Sequence, residues 1–110
     1  MNTTTVTHTA AVARLGIALA DETRLRILLA LRAGPTRPSH LARGLGVSKQ
    51  VISNQLACLR GCWLVHAEAQ GRMAWYTLAD PVLGRTLTEL FKLTLVIDAD
   101  CCTPAGCTCG

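Results

Sequence analysis

A chain of 110 residues, half of them apolar, makes one globular domain with a modest core, small enough that a second subunit would add to it. Its apolar runs fall short of the ~20 residues that span a bilayer, and the opening MNTTTVTHTAAVARLG lacks the basic and apolar regions of a secretory signal, so no membrane association and a cytoplasmic location are expected. The net charge of +4 is concentrated: between Ala33 and Trp75, Arg37, Arg43, Lys49, Arg60 and Arg72 stand against Glu68 alone, an excess that suits a polyanion such as DNA.

In chain order, Val12, Leu15, Ile17 and Leu19 suit a first helix over residues 10–19. Asp21 is an N-cap for a second, DETRLRILLAL, with Leu25, Leu28 and Leu29 at helical spacing, and Gly34 and Pro35 end it. TRPSHLARGLGVS predicts a short helix around Ser39 to Arg43, a turn from Gly44 to Val47, and Ser48 as the cap of the next helix. That helix starts at Lys49 and lines up Ile52, Leu56 and Leu59 at i, i+4 and i+7. Lys49, Gln50, Ser53, Asn54 and Arg60 occupy the other side, with Gln55 nearby. A short helix, a glycine-containing turn and a helix with one apolar stripe and one polar face form the helix-turn-helix pattern, whose polar side chains can meet base edges and phosphates in a major groove.

After Leu64 and Val65 the period changes. HAEAQGRMAWYTLAD predicts two short strands around Gln70 and Gly71 with Arg72 at the tip, a basic hairpin that acts as a wing. Pro81 can open a last helix, in which Val82, Leu83, Leu87, Leu90, Phe91, Leu93, Leu95, Val96 and Ile97 cover more than one face. So much apolar surface implies burial against the domain and against a second subunit, and hence a homodimer through terminal helices. The expected fold is mainly α with a β-hairpin wing, a winged helix-turn-helix over residues 1–98 followed by a flexible cysteine-rich tail over 99–110.

The six cysteines are unevenly placed. Cys58 and Cys62 lie mid-chain, and Cys101, Cys102, Cys107 and Cys109 crowd the last ten residues. In a reducing compartment such a count points to metal or redox chemistry. Residues at i and i+4 on a helix have Cβ atoms about 5 to 6 Å apart, beyond the ~3.5 to 4.5 Å of a disulfide, yet both sulfurs can reach one metal ion. Thiolates favour soft or borderline ions, and two of them need at least one more ligand, for which the tail supplies candidates. The alternative for Cys58 and Cys62 is packing, since unpaired cysteine is commonly buried. His8, His40 and His66 fit solvated positions better than ligands.

The segments LADETRLRILLAL, SHLARGLGVSKQVISNQLACLRGCWLV and GRMAWYTLAD, which fall between residues 19 and 80, resemble the ArsR/SmtB family of winged-helix, metal-responsive repressors. Within it, the pair in LACLRGCWLV is most similar to the CmtR-type cadmium and lead sensors. Three departures matter: many relatives carry a cysteine pair where TRPSHLA places Arg37 and Ser39, zinc-sensing relatives use histidines and carboxylates on the last helix, which has no histidine here, and Gln55 stands at a place where histidine is usual. The resemblance implies that a C-terminal thiolate completes the site, which points to Cys102, with Cys101 beside it. CCxxxxC also resembles tails of arsenic-sensing relatives, which would hold As(III) on Cys101, Cys102 and Cys107.

The expectation is therefore a homodimeric repressor that holds double-stranded operator DNA when metal-free. Ser48, Lys49, Gln50, Ser53, Asn54, Gln55, Arg60 and Arg72 would contact the duplex. Cd(II) or Pb(II), bound by Cys58, Cys62 and a tail thiolate, would release it, with As(III) or Zn(II) as further candidate ions. Two rivals stand beside it: a thiol-redox repressor of the same fold working through Cys101, Cys102, Cys107 and Cys109, and a metal-buffering or metal-delivery protein whose basic segment binds no DNA. No paired carboxylates, Ser/His/Asp set or phosphate loop suggests an enzyme.

Overall fold

The structure, a computed structural model, describes residues 7–93, 101–103 and 106. Five helices and one hairpin follow in the order α1 (His8–Leu19), α2 (Glu22–Leu31), α3 (Pro38–Leu45), α4 (Lys49–Gly61), β1 (Val65–Gln70), β2 (Met73–Leu78) and α5 (Pro81–Leu93). Each helix start has a local cause. Thr7 Oγ1 accepts from the Ala10 N–H at 3.1 Å, and Asp21 Oδ1 from the Arg24 N–H at 3.0 Å. Proline stands in the first turn of α3, where its missing N–H costs nothing, and Asp80 Oδ1 accepts from the Val82 N–H at 2.8 Å as α5 begins at Pro81.

These elements share one core. Ile27, Leu28 and Leu31 of α2, Leu41 and Ala42 of α3, Ile52, Leu56 and Leu59 of α4, Val65 of β1 and Leu87 of α5 are all buried in it. Burial of a large aliphatic side chain is worth about 1.5 to 3 kcal/mol. The apolar stripe of α4 is the predicted one, while in α2 the buried line runs through Ile27, Leu28 and Leu31, with Leu25 and Leu29 only packed against its edge. The difference is tertiary: α2 meets α3, α4, α5 and β2, and that ring of neighbours rotates its buried face away from the one that leucine spacing suggests.

The wing is an antiparallel hairpin with Val65 opposite Leu78 and Gln70 opposite Met73. Gly71 and Arg72 form its two-residue turn, and Gly71 has a φ of +65°, as the first central residue of a type II′ turn requires. The hairpin is tied to the domain: Thr36 and Tyr76 exchange N–H···O bonds of 3.1 and 2.8 Å, and Ala79 N–H donates to Leu64 O at 2.9 Å.

Among the described residues of α5 only Leu87 is buried. Val82, Leu90, Phe91 and Leu93 remain exposed, as do Val12 and Ile17 of α1, the last two about two-thirds exposed. The two terminal helices thus carry apolar surface that one domain does not cover. Leu95, Val96 and Ile97 lie outside the described residues. Arg32 fixes α5 to α2, donating to Thr88 Oγ1 at 2.8 Å and lying 5.7 Å from the centroid of the Phe91 ring. Among the described residues no helix is long and apolar enough to cross a membrane.

Candidate nucleic-acid interface and thiol site

The turn between α3 and α4 sets the position of the polar face. Gly46 closes α3 in the left-handed region at φ +69°, and Val47 N–H returns to Ala42 O at 3.1 Å. Ser48 then caps α4: its Oγ accepts from the Val51 N–H at 3.1 Å, and its carbonyl accepts from the Ile52 N–H at the same distance. With Ile52, Leu56 and Leu59 buried, the 3.6-residue repeat turns Gln50 and Asn54 directly outward and puts Lys49, Ser53 and Arg60 on one flank. All five are exposed, as is Ser48. Gln50 Nε2 donates to Asn54 Oδ1 at 2.9 Å, so these two amides form one unit on the outer face.

Gln55 differs from the rest. It is half-buried, on the other flank of α4, where Cys58 and Cys62 follow it at i+3 and i+7. Its Oε1 accepts from Arg24 Nη1 at 3.3 Å, while Arg24 Nε and Nη2 donate to the carbonyls of Ala18 and Ile17 at 2.9 and 3.2 Å. Arg24 thereby joins the end of α1 to α4. Sequence reasoning assigned Arg24 no role, and nothing local marks it, since its partner stands 31 residues away.

Arg72 is exposed at the tip of the wing, which places a cation on a second projection from the same domain. Arg37, at the N-cap of α3, lies 5.5 Å from the centroid of the Trp75 ring and 2.9 Å from His40 Nε2. It ties the start of α3 to the wing, a second anchoring role that the sequence did not announce.

Cys58 and Cys62 are both exposed, which rules out core packing as their explanation. Cys62 is the C-cap of α4, its N–H donating to Cys58 O at 3.1 Å. The helix then ends in a Schellman arrangement: Leu64 N–H reaches Leu59 O and Trp63 N–H reaches Arg60 O, both at 3.0 Å. The residue in the left-handed position, usually glycine, is Trp63 at φ +62°, which follows Cys62 in the chain and is itself 58% exposed. Two accessible sulfurs one turn apart form a donor pair that fits a soft ion better than a hard one.

In the tail, Cys101 and Cys102 are exposed with their sulfurs 3.7 Å apart, and Cys102 has a φ of +48°. Cys107 and Cys109 lie outside the described residues. Among the described residues no three His, Cys, Asp or Glu side chains converge on one point.

Comparison with known proteins agrees with this architecture. The family described as "Bacterial regulatory protein, arsR family" matches residues 21–67, from the cap of α2 into β1. The HTH-type transcriptional regulator CmtR of Mycobacterium tuberculosis is 52% identical over 90 residues, covering 82% of this chain and 76% of that protein. The solution structure of the cadmium metal-sensor CMTR from the same organism superposes with a TM-score of 0.67, over 80% of this chain and 92% of the other. The crystal structure of the AntR antimony-specific transcriptional repressor gives a TM-score of 0.71 at 33% identity, over 84% and 85% of the two chains.

Proposed function

The chain belongs to the arsR family of DNA-binding bacterial regulatory proteins, and on that premise we propose that it is a homodimeric, cytoplasmic repressor of metal-responsive genes, relieved by a soft ion. In this reading Lys49, Gln50, Ser53, Asn54, Gln55 and Arg60, with Ser48 at the helix start, lie in the major groove, and Arg72 meets backbone or minor groove. The exposed apolar residues of α1 and α5, Val12, Ile17, Leu90 and Phe91 among them, supply the surface for the second subunit.

The observation that carries the proposal is the position of the thiols. Cys58 and Cys62 are exposed on the same helix whose first turns present the polar face, so a ligand held there acts directly on the DNA-reading element. Cys58 and Cys62 would supply two thiolates and Cys102, with Cys101 beside it, a third, to Cd(II) or Pb(II). The ion would supply a cross-link between α4 and the segment after α5. That link biases α4 away from the spacing that fits two half-sites, and a coupling of ~1 to 3 kcal/mol loosens DNA about 5- to 150-fold.

Titration of the reduced protein with Cd(II), Pb(II), Zn(II) and As(III), followed by thiolate-to-metal absorption and by release of a labelled duplex from upstream of its own coding region, tests this. Wild type releases the duplex on Cd(II) or Pb(II), and Cys58→Ser and Cys102→Ser do not. Release by Cys58→Ser at the wild-type cadmium concentration would end the proposal.

A second reading draws on the 3.7 Å approach of the Cys101 and Cys102 sulfurs and on the likeness to an antimony-specific repressor. Here As(III) is held by Cys101, Cys102 and Cys107 without the helical pair. Release by As(III) that survives Cys58→Ser and is lost in Cys102→Ser selects this reading.

A further inference from the structure

The free end of the wing needs a support that its backbone ties do not supply. Thr36 with Tyr76 and Leu64 with Ala79 join the hairpin to the domain, and both ties lie on the domain side of Trp75. A lone two-stranded hairpin is marginal in water. From Tyr76 to Met73 the strand runs on for about 10 Å at ~3.3 Å per residue, and residues 66–73 are all exposed.

Arg37 occupies that interval. Met73 and Trp75 share one face of β2, since alternate residues of a strand project together, and the Arg37 guanidinium meets both. Its Nη1 donates to Met73 Sδ at 2.8 Å, and its Cζ lies 5.5 Å from the centroid of the Trp75 ring. On the helix side, Nη2 stands 2.9 Å from His40 Nε2, which must be the acceptor because a guanidinium only donates. Arg37 is the N-cap residue of α3, whose Leu41 and Ala42 are anchored in the core. One planar group therefore braces the strand against a fixed helix and reaches the residue next to Arg72. Its Nε is buried, out of reach of a phosphate. We infer that Arg37 aims the wing: by holding Met73 and Trp75 it fixes where Arg72 meets the duplex, without touching DNA itself. Arg37 is then a positioning residue acting through Arg72. The inference rests on Arg72 as a DNA contact and names what directs it.

Two measurements on the full chain test it, for wild type, Arg37→Met, Arg37→Lys, Met73→Ala, Arg72→Ala and the double variant Arg37→Met with Arg72→Ala. The first is affinity for a labelled duplex from upstream of its own coding region against salt, where each lost phosphate contact makes the log–log slope shallower by about 1. Arg72→Ala loses about 1, Arg37→Met loses most of the same amount, and the double variant loses no more than Arg72→Ala. Arg37→Lys keeps the charge but not the planar fork, so it behaves as Arg37→Met. A wild-type slope in Arg37→Lys, or a loss of about 2 in the double variant, makes Arg37 a phosphate contact in its own right and overturns the inference. The second is amide ¹⁵N relaxation without DNA. Order parameters at Gly71, Arg72 and Met73 fall from the rigid range near about 0.85 to below about 0.6 in Arg37→Met and Met73→Ala, while those of α3 and α4 hold. A tip that stays rigid in either folded variant overturns the inference. Met73 is 49% exposed, so Met73→Ala keeps the fold and decides the matter even where Arg37→Met does not fold. An unchanged slope in Arg72→Ala overturns instead the DNA contact of Arg72, and this inference with it, whatever the relaxation shows.

Discussion

Replacing Ser48 separates the folding role of the α3–α4 turn from its role toward DNA. Ser48 Oγ satisfies the Val51 N–H at 3.1 Å, and α4 carries three side chains of the core, Ile52, Leu56 and Leu59. Loss of an N-cap hydroxyl costs about 1 kcal/mol. In a domain of this size that lowers the melting temperature of Ser48→Ala by about 4 °C or somewhat more. Ser48→Asp restores an acceptor to the cap and adds an anion at the positive end of the helix, so it melts within about 1 °C of wild type or higher. Toward DNA the order reverses. The new carboxylate stands where the helix start approaches phosphates, and duplex affinity of Ser48→Asp at low salt falls by about tenfold, more than for Ser48→Ala. Thermal unfolding by circular dichroism and fluorescence anisotropy of a labelled duplex at one fixed salt concentration read the two effects. Equal melting of Ser48→Ala and wild type would refute the capping argument. Wild-type affinity in Ser48→Asp would remove the start of α4 from the duplex.

Two further substitutions probe the wing and the core. Arg72→Ala removes a cation from an exposed turn, so stability is unchanged, while the slope of log affinity against log salt falls by about 1 if Arg72 touches a phosphate; an unchanged slope excludes that contact. Leu59→Ala opens a cavity where α4 meets the rest of the core and costs about 2 to 5 kcal/mol, a large share of the ~5 to 15 kcal/mol of a typical domain. Urea unfolding that retains the wild-type midpoint would show that Leu59 does not pack as the structure places it.

Much of the candidate site is legible in the sequence because its causes are short-range. Asp21 and Ser48 announce helix starts, since a capping oxygen bonds three residues ahead. Gly71 and Arg72 announce the hairpin turn, and the spacing of Ile52, Leu56 and Leu59 fixes which side of α4 is inward. The tail is a different case: its thiol count is plain from the sequence, whereas which sulfur joins the helical pair depends on how one distant segment packs against another, which short-range patterns do not encode.

Sequence by itself determined the order of elements, the polar character of α4 and the one-turn interval between Cys58 and Cys62, because backbone hydrogen bonding and helical periodicity act over a few residues. Only the tertiary structure decided that both those thiols face solvent, that α2 buries Ile27 and Leu31 ahead of Leu25 and Leu29, and that Arg24 takes the oxygen of Gln55. Each of those outcomes depends on which distant segment arrives alongside. No local pattern encodes a neighbour that packing alone supplies.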